Sequence, residues 1–530
     1  MAVMLKSGYA GAALYTADIR DSPLVGAFKR FLSKPPTIDE DLMKDFIKFV
    51  DVEIAKLPIL EDRPNFEKWI ANVNQPLSRK VEYTKAFEYY TEHKLHIDNM
   101  ATIYGTPKYK KDKIFENFLK ISTFIKSEWY PELKPNRCIN PRSILYMPTV
   151  GPSYADISEI IFALPEFIKY VPIKDRPKYI MDRLENAGAR CVSTDYKSFE
   201  NSFVMRIQEA VEMKLYKHML KLYPDLYNLC HLQCVHNEVE CSSMSISMDA
   251  ARMSGEMCTS LGNGFTNLML MKFFCAEHGI QDAKGVIEGD DGLFTYHGPS
   301  LDNTFFNKLG FQIEIGERDL NESSFCGNIF TENSLKTLVD PLEAIATASF
   351  SMQGVGARDT ELNKLTYLMG YSLLCQYGNC PIVGAFARMQ IRTTILRDPH
   401  VRSKALRYLA TSRKLDWWSR EILSKTIYEK VNDKHVSLED RMLIERLYDI
   451  PVSAQLLIEQ QMDCSTGWIS SDILDLLYSL HHPDWVVNFT KIEYSKTVPV
   501  RYINYNPIKS KLSYREGEEV MVDFNAFYTG

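Results

Sequence analysis

Apolar residues recur along this chain with two different periods, and the change of period divides it. From Arg190 onward short runs predict strands with helices between them. Cys191-Val192-Ser193-Thr194 reads as a short buried strand. Phe203, Val204, Ile207, Ala210, Val211 and Leu215 then recur at helical spacing, and a second helical stretch covers about Gly262–Glu277. Gly285-Val286-Ile287 and Leu293-Phe294-Thr295-Tyr296 predict two strands joined by a tight turn from Glu288 to Gly292. Phe311-Gln312-Ile313-Glu314-Ile315 alternates like a half-buried strand. After about 345 the spacing is mostly helical, as in Leu362–Leu374 and Glu439–Tyr448. Beyond Trp485 the chain is rich in Val, Tyr and Pro and reads as extended or irregular. Residues 1–75 mix short apolar runs with prolines. The pattern predicts an α+β middle and a mostly helical C-terminal part.

Composition narrows the class. The 530 residues are 45% hydrophobic and 25% charged, which excludes disorder, collagen-like repeats and a disulfide-knotted mini-protein. Eleven cysteines form no paired framework, and Lys6, Asp18 and Arg20 interrupt the first 20 residues, so a reducing compartment is expected. No run of about 18 apolar residues predicts a membrane span. The net charge of −6 does not suggest a nucleic-acid binder. Its distribution does: residues 76–145 carry 13 Lys and Arg against 8 Asp and Glu, a local +5 that leaves −11 elsewhere. A solvated helical face has the same composition. Cys230, His231, Cys234, His236 and Cys241 crowd together, but their spacing matches no standard zinc pattern, and buried thiols are the simpler expectation.

Three segments carry chemistry. In Gly289-Asp290-Asp291-Gly292, adjacent carboxylates on a rigid turn repel unless a cation neutralises them, although an ordinary Asp-Gly hairpin has the same sequence. In Asp195-Tyr196-Lys197-Ser198-Phe199-Glu200, Asp195 ends an apolar strand and Glu200 opens a helix, where it also suits the helix dipole. Carboxylates from a strand end and a nearby hairpin can converge on two divalent ions, and oxygen donors suit Mg²⁺. In Ser254-Gly255-Glu256-Met257-Cys258-Thr259-Ser260-Leu261-Gly262-Asn263, a flexible Ser-Gly loop precedes a helix on which Thr259 and Asn263 share a face. Those groups can hydrogen-bond a sugar hydroxyl or a template backbone, and Ser254 can equally cap the helix.

In this order, DYKSFE, SGEMCTSLGN and GDD resemble motifs A, B and C of viral RNA-dependent RNA polymerases. The context Arg252-Met253-Ser254-Gly255 with Leu261-Gly262-Asn263 is most similar to positive-strand enzymes of the tombusvirus-like group. Lys126-Ser127-Glu128 with Arg137–Ser143 resembles motif F, Ser78-Arg79-Lys80 with Tyr83 and Ala86 resembles motif G, and Phe325-Cys326-Gly327 resembles motif E. The resemblance implies a closed right hand of fingers, an antiparallel-sheet palm and a mostly helical thumb. Its divisions would be 1–185 for an N-terminal extension and fingers, 186–204 palm, 205–245 fingers, 246–340 palm, and 341–530 thumb and tail.

The resemblance also implies roles. Asp195, Asp290 and Asp291 would be catalytic and hold Mg²⁺, with Mn²⁺ as a substitute. The 3′-hydroxyl of the growing strand would attack the α-phosphate of an NTP, and pyrophosphate would leave. Lys126 and Arg137 would meet the triphosphate, with Glu128 orienting them. Glu200, Ser254, Thr259 and Asn263 would read the nucleotide's sugar, although the family usually has Asp at the Glu200 position. Arg79, Lys80, Arg142 and Gly255 would contact RNA, Arg142 alternatively bracing its loop. Family members often have a motif D lysine as general acid, and Gln312–Arg318 contains none. Trp417-Trp418 and the tail near Tyr502 and Tyr505 could form a stacking platform or a plug. The implied partners are RNA template, nascent RNA, NTPs and other viral or membrane-anchored replication proteins, in a replication complex of the host cytoplasm. A reverse transcriptase shares such a palm, but the Glu200, Ser254 and Asn263 set argues against it. A non-catalytic RNA-binding scaffold would not need all three aspartates.

Overall fold

Four short strands form one antiparallel sheet. They are β1 (Arg190–Tyr196), β2 (Lys284–Glu288), β3 (Asp291–Tyr296) and β4 (Ile313–Glu317), in the spatial order β2-β3-β1-β4. A computed structural model of the chain describes residues 3–4, 15–16, 37–126, 129–130, 137–240, 245–331, 336–351, 357–412, 417–429, 435–465, 498–503 and 511–522. Side chains alternate across a strand with period two, and here the two sets enter different cores. Val192, Ile287 and Phe294 join the large core that includes the helix Thr259–Glu277. Cys191, Val286 and Leu293 join a smaller core with Ile180 and Leu184 of the helix Arg176–Leu184. The sheet is therefore covered on both faces, which explains its nearly unbroken apolar runs.

The register sets the chemistry. Gly292 lies opposite Thr194, and Glu314 lies opposite Asp195. Glu288 faces Asp291 and closes the two-residue turn Gly289-Asp290. The turn is tighter than the predicted Glu288–Gly292, because pairing continues through Asp291. Likewise β1 runs on through Asp195 to Tyr196, because β4 supplies backbone partners there. β4 itself starts two residues later than its apolar pattern: Phe311 is fully buried among Tyr196, Phe199 and Phe203 instead of pairing.

The periodic stretch after β1 differs more from expectation. It is two short helices, Met205–Ala210 and Glu212–Met219, preceded by a third, Phe199–Ser202. Extended backbone at Val204 and a break at Val211 separate them. The apolar positions are still buried, Val204 only in part, so their period reports burial and not helix continuity. The helix predicted at about Gly262–Glu277 starts earlier, at Thr259, with no side-chain cap from its preceding residue Cys258. Leu362–Leu374 lies within the helix Asp359–Tyr377, and Glu439–Tyr448 within Leu438–Tyr448, which Ser437 and Asp440 start with a capping box. These helices form a separate C-terminal core with Ile329 and Leu338. Beyond Trp485, the strands Val498–Ile503 and Lys511–Val522 pair with each other, and Lys511–Ser513 run parallel to Ser245–Ser247. Tyr505 lies outside the described residues. The chain is thus a helix-rich α+β protein, and no described helix is long and apolar enough to cross a membrane.

Candidate active site

The Gly289-Asp290 turn places its carboxylates by backbone geometry. Gly289 adopts φ 65°, a left-handed conformation that suits the first position of a tight hairpin turn. Asp290 then caps the hairpin and Asp291 starts β3. On the neighbouring strand Asp195 is exposed, and the left-handed residue Ser198 (φ 49°) turns the chain into the short helix bearing Glu200. Three elements thereby bring four carboxylates together. Burial pushes Asp290 up to about 6, and the charges of Glu200, Asp291 and Asp195 add to the shift. Asp291 is also raised, by burial first and then by Asp195, against a lowering hydrogen bond from Cys326.

Cys326 occupies the hairpin turn between Ser324–Phe325 and Asn328–Phe330, with φ 52°. The Phe325-Cys326-Gly327 segment thus reaches the carboxylate cluster as well as the core.

The side chain that ties this centre together was not singled out by sequence. Asn267, fully buried on the helix Thr259–Glu277, donates from Nδ2 to the carbonyls of Gly289 (3.4 Å), Asp290 (3.0 Å) and Asp291 (3.4 Å). Its Oδ1 accepts from the Tyr196 hydroxyl at 3.2 Å. One amide thus joins β1, the turn and the helix. The only sequence signal was a polar residue amid Phe265, Leu268 and Leu270. Lys169 was also missed. Its Nζ donates to Glu288 (2.6 Å) and Ser260 (3.3 Å), beside the turn.

The Ser254-Gly255 loop lies against a second hairpin. The Asn140 amide donates to the Ser254 carbonyl at 2.6 Å. Gly255 adopts φ 105°, and a Cβ there would stand 2.7 Å from Ile139 Cγ2. Cys138–Ile139 pairs with Phe124–Ile125, and the Lys126 amide donates to the Arg137 carbonyl at 2.8 Å. Lys126 and Arg137 therefore sit side by side at the end of the hairpin that touches Gly255. Glu128 lies outside the described residues. The Thr259 hydroxyl donates to the Glu256 carbonyl at 2.9 Å, so it fastens the helix start. Asn263 is 4% exposed, and its Oδ1 is buried without a hydrogen-bond partner in the protein.

Arg142 and the Cys/His group each take one of the two readings that their sequence allows. Arg142 is 4% exposed and bonds Glu256, Asn237 and Gln233, so it braces the loop and does not face RNA. Cys230 and Cys234 are buried, burial raises both thiols, and Cys234 donates to the His231 carbonyl, while the His231 and His236 side chains stay partly exposed. His236 contacts Glu238 and Ser247, and Cys241 lies outside the described residues. Arg79 and Lys80 stand in the first turn of the helix Leu77–Ile103. Arg79 pairs with Glu82, and Lys80 donates to the Ala71 carbonyl. Tyr83 and Ala86 face inward from the same helix.

The carboxylate centre fits a divalent cation in its donor chemistry. Its groups are hard oxygen donors, half-buried or exposed, and their mutual repulsion raises Asp290. Among the described residues, no three His, Cys, Asp or Glu side chains already stand at metal-binding spacing. A site that shares its cation with substrate phosphates and water needs no such preformed cage.

Comparison with known proteins gives the same direction. The family described as viral RNA dependent RNA polymerase matches residues 195–463. The RNA-directed RNA polymerase of greasy grouper nervous necrosis virus is 24% identical over 237 residues, covering 42% of this chain and 24% of that protein. The enzyme of the same name from Atlantic halibut nervous necrosis virus is 28% identical over 157 residues, covering 27% of this chain and 16% of that protein. That from striped jack nervous necrosis virus is 27% identical over 143 residues, covering 26% and 14%. The matched part thus spans about a quarter or less of these relatives' length. With half of its length matched, from Asp195 of β1 through the hairpin into the C-terminal helices, the chain belongs to the viral RNA-dependent RNA polymerase family.

Proposed function

We propose that this protein is the template-directed RNA-synthesising subunit of a viral replicase. The observation that carries this reading is the convergence of Asp195, Glu200, Asp290 and Asp291 on one tight turn, within the stretch that the family matches. The four-stranded sheet is the palm, the C-terminal helices are the thumb, and 1–185 with 205–245 are extension and fingers in a closed right hand. Asp195, Asp290 and Asp291 hold the cations, of which Mg²⁺ is the expected species and Mn²⁺ a substitute. Two bound divalent cations would supply activation of the attacking 3′-hydroxyl and charge neutralisation at the leaving pyrophosphate. The chain's own part is positioning. Lys126 and Arg137 receive the triphosphate oxygens as hydrogen-bond donors. Glu200, Ser254 and Asn263 read the ribose hydroxyls. Arg79 and Lys80 steer the template backbone. Likeness to the tombusvirus-like group rests on the Ser254–Asn263 segment, and the compartment is a replication complex of the host cytoplasm, assembled with other viral or membrane-anchored proteins.

The test is synthesis by the purified protein on an RNA template with rNTPs and Mg²⁺, with and without a primer. Labelled RNA product is expected. No product under either condition, or a preference for dNTPs, would reverse the assignment.

Two further outcomes follow from the centre. Asn267→Ala removes the donor shared by three carbonyls and leaves carboxylate identity unchanged. A buried hydrogen bond lost this way costs about 1–3 kcal/mol, so incorporation should slow about 10- to 100-fold with RNA binding unchanged. A full turnover rate would remove Asn267 from the mechanism. Divalent cations should also stabilise the protein in a pH-dependent way. Asp290 has a folded pKa of about 6 against 3.8 for an unperturbed Asp, so the fold disfavours its ionised form. That penalty is absent below about pH 4, grows between 4 and 6, and is complete above 6. Thermal melts with and without Mg²⁺ should show a larger cation-induced rise at pH 7.5 than at pH 4.5. An equal rise at both would disconnect the cation from these carboxylates.

A further inference from the structure

Ser254 and Gly255 sit between two charged residues that are both withdrawn from water. Arg252 precedes them with its side chain 0% exposed, ion-paired to the equally buried Glu212 of the helix Glu212–Met219. Glu256 follows them with its side chain 5% exposed, paired to Arg142 at 2%. The two pairs approach each other, with Arg252 Nη1 4.0 Å from Glu256 Oε2. Each arm has further anchors. Arg142 Nη2 donates to Asn237 Oδ1 at 2.6 Å and to the Gln233 carbonyl at 3.3 Å. The Arg252 guanidinium lies 4.7 Å over the Phe203 ring. There is no room for slack: a Cβ on Gly262 would stand 2.2 Å from Glu212 Oε2 and 2.6 Å from Arg252 Nη2.

Buried ion pairs add little net stability compared with apolar packing, but they have sharp directional demands. A segment of three residues, Met253 to Gly255, held at both ends by such pairs and in its middle by the Asn140 amide, has one position. We propose that the Arg142–Glu256 and Arg252–Glu212 pairs form a buried clamp that sets the position of Ser254 and Gly255, and with it the discrimination between ribose and deoxyribose. This rests on the polymerase reading and deepens it. Glu256 and Arg142 are positioning residues in this scheme and touch no substrate. The clamp also links the loop to the segment Arg137–Arg142, which contains the strand Cys138–Ile139, so sugar reading and triphosphate binding share one support.

The test compares Glu256→Asp and Glu256→Gln with wild type, using one rNTP and its dNTP on the same RNA template, with thermal melts alongside. Glu256→Asp keeps the buried charge balance and shortens the arm by one methylene. Displacements of about an ångström cost up to about 100-fold in related settings. The ratio of kcat/KM for rNTP over dNTP should fall roughly 10- to 100-fold in Glu256→Asp, mostly through a raised KM for the rNTP, with the melting temperature near wild type. Glu256→Gln should lower the ratio as well. A wild-type ratio in an active Glu256→Asp protein would overturn the clamp. Loss of the folded state in both variants would also overturn it, because a device that sets position must survive a charge-conserving shortening. A wild-type protein that incorporates neither nucleotide would overturn the polymerase reading, which is a separate result.

Discussion

Asp290→Ala should abolish RNA synthesis and, without divalent cation at pH 7.5, make the protein more stable. Both effects have one source. Burial and the charges of Glu200, Asp291 and Asp195 make an ionised Asp290 unfavourable in the fold. A structural carboxylate would have acquired a cationic partner that favours its charge, whereas here a backbone hydrogen bond is outweighed by burial and repulsion. This one is held in repulsion by a turn whose three carbonyls are fixed by Asn267. Removing a ligand of a metal that neutralises transition-state charge costs about 4 kcal/mol or more, which is at least about 10³-fold in rate. Primer-extension rates and denaturant midpoints check both halves. The stabilisation should shrink as pH falls from 6 towards 4 and vanish below the unperturbed value of 3.8, where Asp290 is protonated in folded and unfolded chains alike. Robust synthesis by the variant would remove the turn from the active site. A large loss of stability at pH 7.5 would mean that Asp290 supports the fold.

The second large effect is on stability. Arg252→Met leaves Glu212 fully buried without its cation. Breaking one side of a buried pair costs about 3–5 kcal/mol, because an uncompensated charge remains in a medium that cannot solvate it. The loss includes the contact of the guanidinium with Phe203. Adding Glu212→Leu should restore most of the stability, since apolar residues of similar volume replace such pairs with little cost. Equilibrium denaturation of wild type, single and double variants measures this. If the double variant is no more stable than Arg252→Met, the pair is not the source of the loss. A restored fold with altered nucleotide selection would separate the stability of this region from its positional role.

Some of this was legible because it is local. The turn at Gly289-Asp290, the strand ending near Asp195 and the helix before Glu277 depend on glycine conformation and apolar period over a few residues. Other features were misread for the same reason. The Phe203–Leu215 pattern marks burial across two short helices and the residues before them, and a period cannot report a break whose apolar positions are still covered. Arg142 and Arg79 both lie in the Lys- and Arg-rich stretch 76–145, yet one is sealed in the interior and the other stands in solvent. Nothing in their neighbours along the chain distinguishes them, because Glu256, the partner that draws Arg142 inward, lies 114 residues away.

The sequence by itself determined the family, the carboxylates and the order in which their motifs arrive, because residue identity and spacing carry that information within short segments. The tertiary structure alone decided which charges are neutralised and where. It brought Glu200 and Asp195 against the hairpin turn, set Asn267 beneath that turn, and buried two Arg–Glu pairs around Ser254 and Gly255. The physical reason is that a charge's role depends on its distance from water and from other charges. Both distances are fixed by contacts between segments far apart in the chain.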